Sequence, residues 1–242
     1  MLIAQITDIH AAPDNDNLAR LQRVINWIIT VKPDLLVVTG DLTDNGWYEG
    51  YRAIETELQR AQCRYLVLPG NSDDKQMMRD CLQAAVHWRS DTALHFSEVV
   101  NGFPVIGIDT TIDGEARGDI TRHLQWLATE LNKSTQPALL FMHHHIFPCG
   151  IEPLDEVICT GATELSQLMA SCNTPPLAIC SGHIHRSMAA MLGGVPAYIC
   201  GSVCPANPLM LDKQRVPPVT DPAALMIYDL SKGYPVSSHI SV

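Results

Sequence analysis

Short apolar runs alternate with longer amphipathic stretches along the first half of the chain. The runs at 2–7, 34–40 and 64–70 have the length of strands, and 34–40 is typical of a strand buried on both faces. Between them, apolar residues recur at helical spacing over 17–31 and 48–60. This βαβαβα order predicts a mainly parallel sheet with right-handed crossover connections.

The second half adds more helices and many more strands. Helical patterns occur near 75–85, 121–132 and 162–171, and strand-like segments occur at 94–100, 104–110, 138–143, 176–182, 196–202, 224–230 and 235–242. Strands are closely spaced in the last third of the chain, which indicates a second, mixed sheet. We therefore predict an α/β fold, a four-layer α-β-β-α sandwich of two mixed sheets flanked by helices. We expect one domain over 1–242, with the proline-rich segment 203–222 as a long loop.

Composition and charge narrow the class of protein. The 242 residues are 46% hydrophobic and 17% charged, which is typical of a folded globular protein. A net charge of −10 argues against binding to long nucleic acid or to an anionic membrane. A small anion is still an acceptable partner, because a local metal ion overrides the net charge. A homo-oligomer is compatible with the sequence.

The terminus and the cysteines indicate the compartment. The first ten residues lack a basic leader, and no apolar run approaches the roughly 18 residues that a membrane span needs. The eight cysteines include no CxxC pair, and several lie inside apolar runs. We therefore expect reduced thiols rather than disulfides or a zinc ribbon, and a cytoplasmic protein.

Polar residues that can bind metal follow five of the predicted strands. Because the carboxyl ends of strands in open α/β sheets converge on one crevice, these residues are expected to meet there. Six of the ten histidines belong to this set. In order along the chain the set is Asp8 and His10, Asp41, Asn71, the run His143–His144–His145, and His183 with His185.

Each segment alone has an ordinary alternative, but the series does not. Asp41 could cap a helix, Asn71 could stabilise a turn, and three histidines could lie on the surface. All five segments in order, each at a strand end, indicate a metal site. Carboxylate, amide and imidazole donors without thiolate suit Mn, Fe, Zn or Co and disfavour a structural zinc site. With one histidine of the run as a ligand the set has seven members, and if one carboxylate bridges, these can hold two divalent ions, the arrangement used for displacement at phosphorus.

The motif order D-x-H, G-D, G-N, His run and G-H-x-H resembles the calcineurin-like metallophosphoesterase superfamily. The segments TDIH, KPDLLVVTGDLTDNG, LPGNSDDK, FMHHH and CSGHIH resemble its class III cyclic-nucleotide phosphodiesterase and glycerophosphodiesterase branch over residues 6–185. The resemblance implies two divalent ions and a metal-bridging hydroxide as nucleophile. It implies seven ligands: Asp8, His10 and His185 on the first ion, Asn71, His143 and His183 on the second, and Asp41 bridging both.

Catalytic roles are expected for Asp41 and Asn71 in addition to metal ligation, and also for His144 and Ser72. His144 is expected to support a ligand or to contact the substrate, and His145 to be structural. The family usually has G-N-H-D or G-N-H-E where this chain has Gly70-Asn71-Ser72-Asp73. Ser72 can donate a hydrogen bond but cannot deliver a proton as imidazolium does, so slower cleavage of poor leaving groups is expected. Alternatively, Ser72 caps the helix that begins near Lys75.

The resulting functional hypothesis is a dimetal hydrolase of small phosphodiesters, of the 3′,5′-cyclic nucleotide or glycerophosphodiester type. A phosphomonoesterase or a phosphonate-related hydrolase on the same metal core is an alternative, because loops set the substrate. A non-catalytic binding protein on a decayed fold is a third reading, supported by Ser72 and opposed by the complete ligand set. A nuclease is disfavoured by the net charge.

Overall fold

Two β-sheets pack face to face at the centre of the computed structural model, which describes residues 1–88, 90, 92–210, 212, 214–232 and 235–242. The strands of this part of the chain are β1 (Leu2–Ile6), β2 (Leu35–Thr39), β3 (Arg64–Leu68), β4 (Phe96–Val100), β5 (Phe103–Ile108), β6 (Leu139–Met142), β7 (Ala178–Ser181), β8 (Met188–Leu192), β9 (Val195–Ile199), β10 (Ala224–Asp229) and β11 (Val236–Ser241). The helices are α1 (Asn17–Val31), α2 (Tyr48–Arg60), α3 (Lys75–Cys81), α4 (Leu124–Lys133), α5 (Glu152–Asp155) and α6 (Ala162–Ser171), with 3₁₀ helices at Gln83–His87 and Thr121–His123.

The first sheet has the strand order β11-β10-β1-β2-β3. β1, β2 and β3 are parallel, and β10 and β11 add an antiparallel edge. The second sheet has the order β4-β5-β6-β7-β9-β8, in which β5, β6, β7 and β9 are parallel and β4 and β8 are antiparallel edge strands. Both sheets are therefore mixed, as predicted.

Alternation along the strands explains the layers. In β2, Leu35 and Val37 face the second sheet, whereas Leu36 and Val38 face the helices. Helices α1 and α2 cover the outer face of the first sheet, and α4 and α6 cover the outer face of the second. The predicted α-β-β-α sandwich is confirmed, with one apolar core between the sheets and one under each helical layer.

Three details differ from the sequence-based expectation. The predicted helix at 75–85 ends at Cys81, because Leu82 has an extended backbone, and a 3₁₀ helix follows. β8 was not predicted, since its five residues include no β-branched or aromatic side chain. The last two strands belong to the first sheet rather than to the second, because β10 pairs with β1.

The segment 203–222 contains no helix or strand among its described residues. No helix in the described part of the chain is long and apolar enough to cross a bilayer.

Candidate metal centre

Loops at the carboxyl ends of β1, β2, β3, β6 and β7 bring the seven predicted ligands together. Contacts of 3.4 Å or less connect all seven side chains. His185 Nε2 lies 3.4 Å from Asp8 Oδ1 and 3.2 Å from His10 Nε2; Asp41 Oδ2 lies 3.2 Å from His10 Nε2 and 3.4 Å from His143 Nε2; His143 Nε2 lies 3.2 Å from both Asn71 Oδ1 and His183 Nδ1.

Asp41 joins the two halves of this cluster. Its Oδ2 lies between His10 and His143, and its Oδ1 accepts a hydrogen bond from the Ser72 backbone N–H at 2.8 Å. The carboxylate is almost fully buried. A carboxylate held in this way faces both ligand groups at once, which is the geometry that a bridging ligand needs.

Outer hydrogen bonds fix which ring nitrogen faces the centre. His143 Nδ1 donates to the Thr39 carbonyl at 2.7 Å, and His10 Nδ1 donates to the Asp44 carboxylate at 2.7 Å. The Nε2 atom of each ring therefore points at the cluster. Such carboxylate and carbonyl partners orient imidazoles in metal sites. Neither Thr39 nor Asp44 was predicted from sequence; Asp44 lies in the GDLTDNG segment and was available as a signal.

The start of the 203–222 segment supports the first half of the cluster. Cys204 Sγ lies 3.3 Å from His185 Nδ1, and the Cys204 backbone N–H donates to the Asp8 carbonyl at 2.9 Å. Asp8 in turn accepts the His183 backbone N–H at 2.9 Å, which connects the loops of the two sheets. The two contacts made by Asp8 join residues 175 or more apart in sequence.

The ligand loops adopt backbone conformations that most residues avoid. Positive φ angles of 48° to 72° occur at five candidate ligands: Asp8, His10, Asp41, His183 and His185. Such conformations cost energy and concentrate at functional sites. Two motif glycines are required by close approach. A Cβ on Gly70 would lie 2.2 Å from Asp41 Oδ1, and one on Gly182 would lie 2.0 Å from Thr7 Oγ1.

Opposite charges dominate the electrostatics of the centre. Burial opposes ionisation of Asp41, but His143 and His10 outweigh it and hold the pKa of the carboxyl well below its usual range. Burial likewise lowers the pKa of His10, but Asp41 and Asp44 raise it to about 12, and Asp41 raises the pKa of His143 to about 9. Both rings therefore face a carboxylate that favours a cation at their Nε2 atoms, whether a proton or a metal ion.

The donor set fits two divalent cations. At His143 Nε2, an amide oxygen, an imidazole nitrogen and a carboxylate oxygen converge within 3.4 Å, and all three can offer lone pairs. A cation satisfies this arrangement better than hydrogen bonds among acceptors, and metal binding displaces the competing ring protons. The cluster of Asp8, His10, Asp41 and His185 forms the other half.

His144 lies beside the second half of the cluster. Its side chain is fully buried, and its Nδ1 is 2.8 Å from Thr110 Oγ1. In the part of the chain that the structure describes, its Nε2 has no hydrogen-bond partner. Its ligand nitrogen lies within 4.8 Å of those of His143 and His183. Burial, followed by the neighbouring His143, lowers the pKa of His144 well below its ordinary value, so this ring is neutral.

Ser72 does not cap the following helix, contrary to the alternative expectation. Asp74 is the N-cap of α3 and accepts hydrogen bonds from the Gln76 and Met77 backbone N–H groups, each at 2.9 Å. Ser72 instead donates its backbone N–H to Asp41, and its hydroxyl has no hydrogen-bond partner within the described residues. Asp73 was not predicted: it accepts the Gly70 and Leu42 backbone N–H groups and so fixes the turn that carries Asn71.

The cluster can bind metal, and it lies at the carboxyl ends of strands from both sheets of an α-β-β-α sandwich. The chain belongs to the calcineurin-like phosphoesterase family, whose model matches residues 1–187. Members of this family use a centre of two metal ions, and the His and Asp clusters described above can bind metal. The resemblance inferred from the motifs and the predicted enzyme class, a metal-dependent phosphoesterase, are therefore confirmed.

Individual relatives refine the comparison. A probable glycerophosphodiester phosphodiesterase of Arcobacter nitrofigilis is 28% identical over 229 residues, which cover 89% of this chain and 82% of the relative. A probable cyclic nucleotide phosphodiesterase of a Synechococcus strain is 26% identical over 232 residues, covering 89% and 84%. The crystal structure of a dimetal phosphatase from Danio rerio has the same fold, with a TM-score of 0.75, 14% identity and coverage of 99% and 95%.

Proposed function

We propose that the protein hydrolyses small phosphodiesters with two divalent metal ions held by the seven predicted ligands. The observation that carries the proposal is Asp41, whose Oδ2 lies 3.2 Å from His10 Nε2 and 3.4 Å from His143 Nε2. One carboxylate placed between two ligand groups supports a bridged pair of ions. When bound, such a pair activates a water molecule for in-line attack at phosphorus and stabilises charge on the phosphoryl oxygens.

The protein groups have separate tasks in this mechanism. Asp8, His10 and His185 hold the first ion, and Asn71, His143 and His183 hold the second, as the resemblance implies. Asp44 and Thr39 keep the His10 and His143 rings oriented. Ser72 keeps Asp41 in place through its N–H, but its hydroxyl cannot protonate a basic leaving group at neutral pH. His144 stays neutral and supports the second ion or its substrate.

A pocket next to Asn71 gives the substrate a place to bind. It encloses about 770 Å³, a size usual for small-molecule sites. The cations Lys75, Arg79 and Arg122 contribute to its walls. The carboxylates of Asp73, Asp74 and Asp113 line the same pocket, so metal ions at the centre, rather than the pocket walls, would supply the positive charge that a phosphodiester anion needs.

The substrate class follows from the relatives. Two relatives that align over most of their own length are described as glycerophosphodiester and cyclic nucleotide phosphodiesterases. Both substrates are small phosphate diesters, so we assign that class and leave the alcohol groups to experiment. The oxygen and nitrogen donor set favours Mn, Fe, Zn or Co as the ions.

The test is a hydrolysis panel with protein reconstituted separately with each of these metals. The panel contains bis(p-nitrophenyl) phosphate, 3′,5′-cyclic AMP, glycerophosphoethanolamine and the monoester p-nitrophenyl phosphate. We expect kcat/KM to be higher for at least one diester than for the monoester, and chelation to abolish turnover. Asp41→Asn is the inactive control. Preferential monoester hydrolysis would replace the proposal with a phosphomonoesterase, and no turnover with two ions bound would indicate a binding protein.

A further inference from the structure

The ring of His145 is buried and has no hydrogen-bond partner among the described residues. Its side chain is fully buried, and neither ring nitrogen forms a hydrogen bond within the described part of the chain. Buried imidazole nitrogens left unpaired are costly, and a native structure normally supplies a partner for them. His145 is not among the seven ligands of the dinuclear centre. Its ring needs a partner that the protein groups around it do not provide.

Two further metal-binding side chains face the same ring. The ligand atoms of His145, Cys149 and Asp155 lie within 4.8 Å of one another, and His145 Nε2 is 4.0 Å from Asp155 Oδ1. The three residues lie on the loop that leaves β6 and on the short helix α5. Cys149 is half-buried, and the Asp155 side chain is 29% exposed, so an ion could enter from solvent.

The Asp155 carboxylate is already held in position. Its Oδ1 accepts the Cys149 backbone N–H at 2.7 Å, and its Oδ2 accepts the Gly150 backbone N–H at 3.0 Å. Each oxygen keeps a further lone pair for a cation. These hydrogen bonds restrict the carboxylate to an orientation beside His145, which lowers the cost of ordering it on an ion.

We propose that His145 Nε2, Cys149 Sγ and Asp155 bind a third divalent metal ion, separate from the dinuclear centre. Imidazole nitrogen, thiolate sulfur and carboxylate oxygen together are a set that selects Zn²⁺ over Mg²⁺ or Mn²⁺. On binding, the Cys149 thiol releases its proton to solvent and the sulfur bonds to the metal. Three protein ligands leave a fourth position to water.

The site has a structural consequence for the catalytic centre. The His145 ring stacks on the His183 ring, with centroids 5.5 Å apart and planes 19° apart. An ion bound by His145, Cys149 and Asp155 would cross-link the loop after β6 to α5. It would thereby hold the His145 ring against His183, a proposed ligand of the second ion. The third ion therefore acts as a positioning element for His183 rather than as part of the reaction.

Metal stoichiometry and Co²⁺ spectroscopy test the site. Zn²⁺ bound after equilibrium dialysis is measured on the full chain by mass spectrometry, and thiolate-to-Co²⁺ charge transfer is followed in the near ultraviolet. We expect about one equivalent more metal in the wild type than in Cys149→Ser, and loss of the charge-transfer band in that variant. Asp155→Asn should weaken the same equivalent. Circular dichroism checks that each variant is folded.

Two controls separate this site from the dinuclear centre. Cys204→Ser removes the thiol beside His185 and should keep the charge-transfer band. Asp41→Asn should lose ions from the dinuclear centre and keep the band. A band lost in Cys204→Ser but retained in Cys149→Ser would overturn the assignment. Equal stoichiometry in folded wild type and Cys149→Ser, with no band in either, would show that water rather than metal fills the space beside His145.

Discussion

Asp41→Asn keeps the size of the side chain and removes the charge that two ligand groups share. The Ser72 N–H, 2.8 Å from Asp41 Oδ1, holds the carbonyl oxygen of the new amide in place. The amide nitrogen then points towards His10 and His143, 3.2 and 3.4 Å from the former Oδ2. If Asp41 bridges, a donor replaces the bridging acceptor, and both ions lose a ligand and a negative charge together.

The size of the effect follows from the charge lost. At an effective dielectric constant of about 20, two unit charges about 4 Å apart interact by about 4 kcal/mol. This corresponds to roughly a 10³-fold weaker binding constant, at about 1.4 kcal/mol per factor of ten. The interaction of a divalent ion with the carboxylate is at least this strong, so each ion should bind at least about 10³-fold more weakly without it.

The assay is equilibrium dialysis against buffered free Mn²⁺, with thermal unfolding in chelator as the folding control. Asp44→Asn is the matched variant, because it makes the same chemical change next to His10 alone. It should weaken the binding of one ion by about 10- to 100-fold and leave the affinity for the other unchanged. If Asp41→Asn loses only one ion, or binds both with wild-type affinity, Asp41 does not bridge.

Three further predictions concern the ligands, the leaving group and stability. His185→Ala should weaken mainly the binding of one ion and Asn71→Ala mainly the binding of the other, and metal titration measures both affinities. Ser72→Ala should change kcat/KM for an aryl diester little, since the hydroxyl makes no hydrogen bond to any described residue. Ser72→His should favour alkyl leaving groups by up to roughly 10²-fold. Loss of aryl turnover in a metal-loaded Ser72→Ala protein would contradict this. Lys75→Met removes the ammonium group 2.9 Å from the buried Asp109 carboxylate. It should lower the free energy of unfolding by about 1.5–3 kcal/mol. The control, Lys133→Met at an exposed side chain, should lower it by about 0.5 kcal/mol or less. Burial opposes ionisation of Asp109, but Lys75 and the Leu94 N–H outweigh it and lower the carboxyl pKa, so this stabilisation is present above the ordinary carboxyl pKa and is lost as pH falls through the folded value. Chemical denaturation at neutral and acid pH measures both effects, and a difference that does not shrink in acid would refute this account.

The layers of the fold and the clustering of the candidate ligands could be predicted from the sequence, because both depend on local rules. Strand β2 shows its burial in its own composition, and each candidate ligand lies directly after a strand. The carboxyl ends of parallel strands lie at the same edge of a sheet, whatever the sequences of the connecting segments. Asp8, Asp41 and Asn71 were therefore predictable as neighbours although they are far apart in sequence.

Tertiary structure decided what lies behind and beside those ligands. Thr39 and Cys204 contact ligand rings from other strands and loops, and no spacing within the chain marks them. The last two strands join the first sheet because β10 pairs with β1, a long-range choice that periodicity does not encode. Hydrogen bonds between distant segments depend on how the two sheets pack, so the supporting contacts of the centre are a property of the folded molecule.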